Sequence, residues 1–412
     1  MPPTATAAHT QQLPDLRDTR TAFAHKGNAE LWRAYWLFRI IGNPLLSKVG
    51  GSVTHLALKL RLPIKGLIKS TIFRQFCGGE TIEESLEAAG RLAKSGVGTI
   101  LDYSVEGKDG DEGALDHTVQ ETLRTIAIAQ QRTDIPFCVF KPTGIGRLDI
   151  WARMSEGRVL GNGEREEWLR VVKRMETICQ AAADAKVRVL VDAEESWTQA
   201  AIDDITERMM AQHNRTRAIV YNTVQHYRHD RLDFLKASHA KAEQGNYILG
   251  VKLVRGAYME KERARAAELG YRDPIHADKA SVDKDYDEAL RFTAARIDPA
   301  TAGGRISVVV GTHNEESTLL MAKLMNEHHI ARNDDRVCFA QLLGMSDNLS
   351  FNMAAAGYRV AKYVPYGPVR EVMPYLLRRA AENTSARGQS SRELVLIAAE
   401  RTRRGASPPH TP

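Results

Sequence analysis

Cysteine is scarce in this chain, and long apolar runs are absent. Only four cysteines occur among 412 residues; they are far apart and form no Cys-x-x-Cys pair. Neither a disulfide framework nor a structural zinc site is therefore indicated, and we expect reduced, buried thiols in a reducing compartment, with no metal. No uninterrupted apolar run approaches the ~20 residues that a membrane-spanning helix requires.

The chain ends also lack targeting features. Residues 1–20 contain no apolar stretch of the secretory type, no serine and two aspartates, which is unlike a secretory signal or a mitochondrial presequence. We predict a flexible leader over residues 1–20. We place the protein in a bacterial cytoplasm, peripheral to the inner membrane where it meets one, with the mitochondrial matrix or inner membrane as the alternative.

The net charge of +6 is concentrated toward the C-terminus, where residues 387–404 hold five arginines. We predict a basic, flexible tail over residues 386–412. Contact of this tail with an anionic membrane or with nucleic acid is the alternative.

An aromatic-rich basic segment, LWRAYWLFRIIGNPLL, occupies residues 31–46. Such a helix either lies on a bilayer surface or packs against the main domain, and we favour packing. Together with its neighbours it forms a predicted helical arm over residues 21–95.

Short apolar runs alternate with amphipathic segments from residue 97 onward. Near-continuous apolar strands that alternate with helices are typical of a parallel sheet covered on both faces. Eight runs fall within about 290 residues, the size of a (β/α)8 barrel: VGTILDYS, PFCVFKPT, VRVLVDAEE, RAIVYNTVQ, YILGVKLVRG, RISVVVGTHN, RVCFAQLLG and YRVAKYVPYG.

This pattern predicts an α/β fold, a (β/α)8 barrel over residues 96–385. A doubly wound open sheet is the alternative, but its glycine-rich phosphate loop is missing, since TGIGR at 143–147 lacks the full spacing. In such barrels the functional groups lie where strands end. Here those positions carry polar groups and both signs of charge: Asp102, Lys141, Asp192, Glu194, Glu195, Gln225, Lys252, Arg255, Thr312, His313, Asn314, Gln341 and Tyr363.

Two adjacent arginines, Arg378 and Arg379, follow the eighth run within PYLLRRAAEN. Because successive helical residues point about 100° apart, one guanidinium can reach water while its neighbour is drawn toward the surface that the helix covers; two solvated arginines are the alternative. A guanidinium in that position usually binds a carboxylate or a phosphate. Pro374 indicates that this helix kinks or restarts there; a lid movement and a kink without function both remain open.

Taken in chain order, the motifs at the strand ends resemble those of the FAD-dependent proline dehydrogenases, including the matching domain of bifunctional proline-utilisation proteins. The likeness extends from FCGGETIEE at residue 76 to RRAAENTS at residues 378–385. It includes LDYSVEG, FKPTGIGR, VDAEE, YNTVQHY, KLVRGAYMEKERARAAELGY, GTHN, QLLGMSD and AKYVPYGPV. The resemblance implies a distorted TIM-type barrel with a final helix over its mouth. The length leaves no room for an aldehyde dehydrogenase or DNA-binding region, so we expect a monofunctional enzyme.

The resemblance implies the first step of proline catabolism: L-proline is oxidised to Δ1-pyrroline-5-carboxylate, hydride passes from C5 to FAD N5, and electrons pass on to a quinone. Lys141 and Asp192 are expected to pair beside the substrate. The implied substrate-binding residues are Lys141, Leu253, Tyr258, Leu343, Tyr363, Tyr375, Arg378 and Arg379. The two arginines would hold the carboxylate, and Tyr363 would exclude a hydroxylated substrate sterically.

The resemblance also implies the residues that bind FAD. Lys252 would lie near N5 and stabilise charge on the reduced ring. Glu382 would hold one of the paired guanidinium groups in place. The implied FAD-binding set is Gln225, Lys252, Val254, Arg255, Gly256, Ala257, Lys279, Thr312, His313, Asn314, Gln341 and Glu382.

Two other functions compete with this interpretation. A Schiff-base barrel of the aldolase type would use Lys141 or Lys252, and it requires a lysine whose pKa is lowered. A nucleic-acid-binding module would use the basic tail, which lacks interleaved aromatic residues. The sequence does not determine the oligomeric state.

Overall fold

Eight parallel strands close into a barrel in chain order. The computed structural model describes residues 12–42, 65–104, 111–297, 304–385 and 389–405. The strands are β1 (Val97–Tyr103), β2 (Phe137–Phe140), β3 (Arg188–Val191), β4 (Val220–Gln225), β5 (Leu249–Val254), β6 (Ile306–Gly311), β7 (Val337–Leu342) and β8 (Val360–Tyr366). Closure occurs between β1 and β8, from Val97 opposite Val360 to Tyr103 opposite Tyr366. The predicted (β/α)8 barrel is confirmed.

Helices surround the barrel and flank it. The described helices are α1 (Thr19–Ala22), α2 (Asn28–Ile41), α3 (Lys65–Ile68), α4 (Arg74–Phe76), α5 (Ile82–Ala93), α6 (Glu112–Gln130), α7 (Leu148–Ser155), α8 (Asn162–Ala185), α9 (Ser196–His213), α10 (Arg231–Gln244), α11 (Met259–Leu269), α12 (Lys279–Ile297), α13 (Glu315–Glu327), α14 (Asp347–Ala355), α15 (Met373–Ser385) and α16 (Gln389–Arg403). A π-helical turn, Lys69–Phe73, joins α3 to α4, and a 3₁₀ turn, Pro142–Gly144, follows β2.

The strands are buried on both faces, which explains their continuous apolar sequence. Alternate residues point to opposite faces of a strand. One set fills the barrel interior and includes Ile100, Phe137, Val139, Leu190, Tyr221, Val309 and Ala361. The other set packs against the surrounding helices and includes Val97, Val189, Val251, Val308 and Val364.

A second apolar cluster lies beside the barrel and combines both ends of the described chain. It contains residues of α2, α4, α15 and α16: Leu31, Phe38, Phe76, Leu376 and Ile397. The predicted helical arm therefore packs against the helices that follow β8. On α2, Trp32 and Ile40 remain 47% and 50% exposed, so the helix packs as predicted and also keeps an apolar outer face. Residues 43–46 of the predicted helix lie outside the described ranges.

Residues 389–403 contradict the flexible tail that we predicted over residues 386–412. They form α16, because Ile397 is buried in the second cluster. The basic residues there are also not simply solvated: Arg403 and Arg404 both bind the buried Glu400, at 2.7 and 2.6 Å. The prediction counted the arginines but overlooked the carboxylates and the helical spacing of the apolar residues. As a consequence, α15 is not the last helix.

The leader prediction is wrong for residues 12–20. Leu16 is buried, its carbonyl oxygen accepts a hydrogen bond from Asn348 Nδ2 (3.0 Å), and Asp18 caps α1. Residues 1–11 lie outside the described ranges. All four cysteines are free and buried, as expected.

The helix that carries the paired arginines begins at Met373, so Pro374 falls within its first turn. A proline is tolerated there because the first backbone N–H groups of a helix have no intrahelical acceptor. The chain therefore restarts a helix at this point and does not kink one. Across the described ranges, none of the helices is both long enough and apolar enough to span a bilayer.

Candidate active site

Lys141 lies at the end of β2 between two carboxylates. Its Nζ is 3.2 and 3.1 Å from the two oxygens of Asp102 and 3.5 Å from Asp192 Oδ2. It also donates to the Tyr363 hydroxyl at 3.3 Å. Burial alone would lower the pKa of Lys141, but Asp102 and Asp192 together raise it above its usual value. Lys141 is therefore a cation, and the predicted contact with Asp192 is present.

Asp192, at the end of β3, joins Lys141 to the other side of the mouth. It accepts a hydrogen bond from the Tyr363 hydroxyl at 2.7 Å and forms an ion pair with Lys252 of β5. Burial would raise the pKa of Asp192, but Lys252 and Lys141 outweigh it and keep the pKa low. Tyr363 lies under both lysines, with its ring centre 5.7 Å from Lys141 Nζ and 5.5 Å from Lys252 Nζ. The barrel thus brings four predicted residues into one connected network.

Asp102 belongs to this network through Lys141, and Glu194 lies outside it, two residues after Asp192; we assigned neither of them a role. Asp102 is fully buried and also accepts a hydrogen bond from Ser104. Glu194 accepts hydrogen bonds from Thr143 Oγ1 (2.8 Å) and from the Tyr258 hydroxyl (3.3 Å). Their position at strand ends was the available signal, but that position did not distinguish them from the other charges there.

On the β5–β6 side, Arg255 is anchored by three neighbours. Its Nε donates to Asp283 (2.8 Å), Nη1 donates to Thr312 Oγ1 (2.8 Å), and Nη2 donates to Ser317 Oγ (2.9 Å). Asn314 caps α13 by accepting from Ser317 N at 3.0 Å. Lys279, which we predicted to bind FAD, pairs with Asp283 and is 77% exposed at its side chain.

Two glutamine carboxamides lie near the strand ends. Gln225 Nε2 donates to Glu194 O at 3.0 Å, and Gln225 Oε1 is buried with no partner among the described residues. Gln341 is satisfied at both ends: Nε2 donates to Thr312 O at 3.2 Å, and Oε1 accepts from Ser350 Oγ at 2.8 Å. Gln225 is therefore the one of the two with an acceptor available to a ligand.

His313 lies just after β6 and contacts the residue before α14. Its Nδ1 lies 2.9 Å from Ser346 Oγ. Burial, followed by the positive charges of Lys362 and Arg379, lowers the pKa of His313 to about 3. The imidazole is therefore neutral. The positive charge of Arg379 on α15 thus acts on a residue that lies just after β6.

The arginines on α15 differ in burial. Arg379 is buried, with its guanidinium carbon 5.2 Å from the ring centre of Tyr375, which is also buried. Arg378 is half-buried. The side chain of Glu382 lies outside the described part of the chain, so its predicted contact with a guanidinium stays a prediction.

The role of Leu253 as a pocket wall stays a prediction. Leu253 is fully buried among residues that face the outer helices, including Tyr286, whereas the neighbouring Lys252 points to the interior. The reason is the two-residue alternation of a strand, which places adjacent residues on opposite faces. Leu343 and Val254 are half-buried, and Ala257 is exposed.

Gly256 has a structural reason to be glycine. Its φ of 129° lies in a region that other residues rarely adopt, and an added Cβ would lie 2.5 Å from the Tyr227 ring. The close turn after β5 therefore requires the absence of a side chain.

Comparison with known proteins identifies the family. The family model for proline dehydrogenase matches residues 85–392. The chain is 37% identical over 340 residues to the carbapenem antibiotics biosynthesis protein CarD of Pectobacterium carotovorum subsp. carotovorum, covering 82% of this chain and 86% of that protein. It is 31% identical over 430 residues to the mitochondrial proline dehydrogenase 1 of Dictyostelium discoideum, covering 94% and 74%. It is also 31% identical over 433 residues to the hydroxyproline dehydrogenase of Xenopus laevis, covering 97% and 92%.

Solved structures share the fold. Proline utilization A from Bdellovibrio bacteriovorus, inactivated by N-propargylglycine, superposes with a TM-score of 0.68 at 16% identity. The match covers 92% of this chain but only 41% of that protein. On the family match and the relatives together, the chain belongs to the proline dehydrogenase family, a family of oxidoreductases.

Proposed function

We propose that the chain oxidises L-proline to Δ1-pyrroline-5-carboxylate, with FAD as its cofactor and a quinone as the final electron acceptor. One observation carries the proposal: Lys141, Asp192, Lys252 and Tyr363 form a connected polar network at the barrel mouth. Family membership and the names of relatives such as the Dictyostelium enzyme support proline as the substrate.

The residues at the mouth fit a flavin. Gln225 Oε1 is a buried acceptor without a partner in the described ranges, and the isoalloxazine ring carries an imide N–H that such an oxygen binds. Arg255 uses three of its five N–H groups on protein neighbours and so keeps two for a pyrophosphate. Thr312, Asn314, Gln341 and Lys252 surround the same strand ends. When bound, FAD supplies the two-electron acceptor for the hydride that leaves C5 of proline.

The substrate carboxylate is assigned to Arg378 and Arg379. A guanidinium fork binds a planar carboxylate through two parallel hydrogen bonds, which fixes its orientation as well as its position. Burial strengthens this contact because water competes less for the charge. The arginines therefore orient the ring carbon that is oxidised, and this placement contributes to the rate.

Lys141 and Lys252 act as fixed cations in this proposal. Each contacts a carboxylate, and the pKa of Lys141 is raised by Asp102 and Asp192 despite its burial. A Schiff-base mechanism requires a neutral lysine, so these contacts count against the aldolase-type alternative. Lys252 would instead stabilise negative charge beside the site of oxidation, and Lys141 would orient the pocket together with Asp192.

The quinone step implies visits to a bilayer, and α2 is the surface that we assign to it. Trp32 and Ile40 are exposed on this helix, and Arg39 lies 5.1 Å from the Trp36 ring. Exposed aromatic residues beside arginines suit the headgroup region of an anionic membrane. A peripheral position on a bacterial inner membrane stays our proposal; the mitochondrial names of relatives support the mitochondrial alternative.

An absorption spectrum of the purified protein tests the function. We expect the bands of oxidised flavin, and we expect anaerobic L-proline to bleach them. D-proline is the matched control, because it has the same atoms in a different arrangement and should bleach them far more slowly. Flavin bands that L-proline leaves unchanged would overturn the substrate assignment, and a protein that stays colourless after addition of FAD would overturn the cofactor assignment.

A further inference from the structure

Glu194 differs from the other carboxylates at the mouth because no cation pairs with it in the described ranges. Asp102 and Asp192 both contact lysines, and Glu195 pairs with Lys261. The carboxyl group of Glu194 instead accepts from two neutral hydroxyl groups, at 2.8 Å from Thr143 and 3.3 Å from Tyr258. It is only 4% exposed.

Burial and the neighbouring carboxylates favour the neutral form of this carboxyl group, against the hydrogen bond from Thr143. Burial, followed by repulsion from Glu195, raises the pKa of Glu194 to about 7; Lys141 acts in the opposite direction and Asp192 adds to the rise. Glu194 can therefore gain or lose a proton near neutral pH. Lys141 cannot accept a proton, because it is already a cation, and the pKa of Asp192 is held low by Lys252 and Lys141.

The proposed reaction requires a proton acceptor. Proline in water carries a secondary ammonium group, whose nitrogen has no lone pair to assist the departure of a hydride from the adjacent carbon. One N–H proton must leave before oxidation, and a group that accepts it needs a pKa near the working pH.

We propose that Glu194 accepts this proton through the hydroxyl group of Tyr258. The substrate N–H bond breaks as a new O–H bond forms on Tyr258, and the original Tyr258 hydroxyl proton passes to the Glu194 carboxylate. No electron pair leaves the substrate in this step; the nitrogen keeps the lone pair that then assists oxidation. The inference rests on the proposed function. Glu194 does not contact the substrate and acts only through Tyr258, so it is a positioning residue.

The rate of flavin reduction by L-proline, measured anaerobically between pH 5.5 and about 9, tests the inference. In the unaltered protein the rate should rise through about pH 7, because the carboxylate must be unprotonated. In Glu194→Gln and in Tyr258→Phe this rise should disappear, and the plateau should fall by about 10²-fold or more. Binding of tetrahydrofuran-2-carboxylate, whose ring oxygen carries no proton to lose, should be unchanged in Glu194→Gln and should show that the pocket is intact.

Glu195→Gln is the matched control. It removes the charge that repels Glu194, so the rise should remain but move to lower pH. The inference would be overturned if the rate of flavin reduction in Glu194→Gln still rose with pH as it does in the unaltered protein. It would also be overturned if only Glu195→Gln, and not Glu194→Gln, lost this rise. If L-proline does not reduce the flavin of the unaltered protein, the proposed function fails; if it does and Glu194→Gln has no effect, only this inference fails.

Discussion

Lys141 is held from two sides, by Asp102 on β1 and by Asp192 on β3. Removing one partner of a buried ion pair leaves an uncompensated charge and costs roughly 3–5 kcal/mol. Asp102→Asn should therefore lower the free energy of unfolding by about 3 kcal/mol in urea titration. Asp149→Asn is the matched control, since Asp149 pairs with Arg147 at 47% side-chain exposure and exposed pairs contribute under about 1 kcal/mol. Equal losses in the two variants would contradict the account.

Tyr363 combines a bulky ring with a hydroxyl group that bonds to Asp192 and Lys141. Tyr363→Ser should make room for a hydroxylated ring, so the ratio of kcat/KM for 4-hydroxy-L-proline to that for L-proline should rise about tenfold or more. Tyr363→Phe removes only the hydroxyl and should lower the rate on L-proline with an unchanged ratio. A ratio that rises equally in both variants would show that the hydroxyl, and not the ring, sets the preference.

Site residues could be predicted well from the sequence where they lie at the ends of strands. Lys141, Asp192, Lys252 and Tyr363 meet as expected because parallel strands in a barrel end at one rim. The partner of each charge was harder to predict: Asp102 reaches Lys141 because β1 and β2 are neighbours, and several strand-end carboxylates compete in sequence for that lysine. The resemblance assigned Leu253 to the pocket wall without regard to strand alternation, and that role stays a prediction.

At the scale of elements, α16 docks through a buried carboxyl group. Glu393 accepts a hydrogen bond from Ser346 N, and burial, followed by repulsion from Asp347, raises the pKa of Glu393 to about 7, against the attraction of Lys362 and Lys26. The folded protein therefore holds this proton at pH values where the unfolded chain has lost it. Stability from Glu393 is present below about pH 4.5 and falls as the pH rises toward 7.

Glu393→Gln should remove this part of the pH dependence, which amounts to roughly 2–3 kcal/mol, in urea titrations between pH 4.5 and 8. Glu400→Gln is the opposite case. Hydrogen bonds from Arg403 and Arg404 lower the pKa of Glu400 to about 2, so its contribution is present above pH 4.5 and is lost as the pH falls. That variant should be less stable at neutral pH. Parallel pH curves for Glu393→Gln and the unaltered protein would contradict the assignment.

The outer face of α2 yields a prediction on membrane contact. Replacing Trp32 and Trp36 by serine should weaken flotation with anionic phospholipid vesicles severalfold, because the aromatic rings supply the apolar part of the contact. Val159→Ser, a change at an 87% exposed apolar residue on the loop after α7, is the matched control and should leave flotation unchanged. Equal flotation of all three proteins would refute the role of α2.

The strands and most barrel helices could be predicted from sequence because their hydrophobic periods are local. The elements at the two chain ends could not. Residues 389–403 have a helical spacing of apolar residues that our prediction overlooked, but the docking of Ile397 against α2, more than 350 residues away, could not be predicted from local sequence. The start of α15 at Met373 was one of two alternatives that Pro374 left open.

At the scale of the whole molecule, the second apolar cluster joins the helical arm to α15 and α16. We propose that α2, α4 and the helices after β8 form one cap beside the barrel, with the paired arginines where cap and barrel meet. The cap explains why helices outside the barrel bear on substrate binding. The contribution of Arg379 to the low pKa of His313 is consistent with this arrangement.

Anaerobic titration of the flavin with L-proline in Arg378→Lys and Arg379→Lys tests the central claim that paired guanidinium groups clamp the substrate carboxylate. Lysine keeps the charge but loses the fork, so each variant should bind FAD and should need about tenfold or more L-proline for the same reduction rate. Arg370→Lys, at an exposed arginine just before α15, should match the unaltered protein. Unchanged proline dependence in both Arg378→Lys and Arg379→Lys would contradict the account.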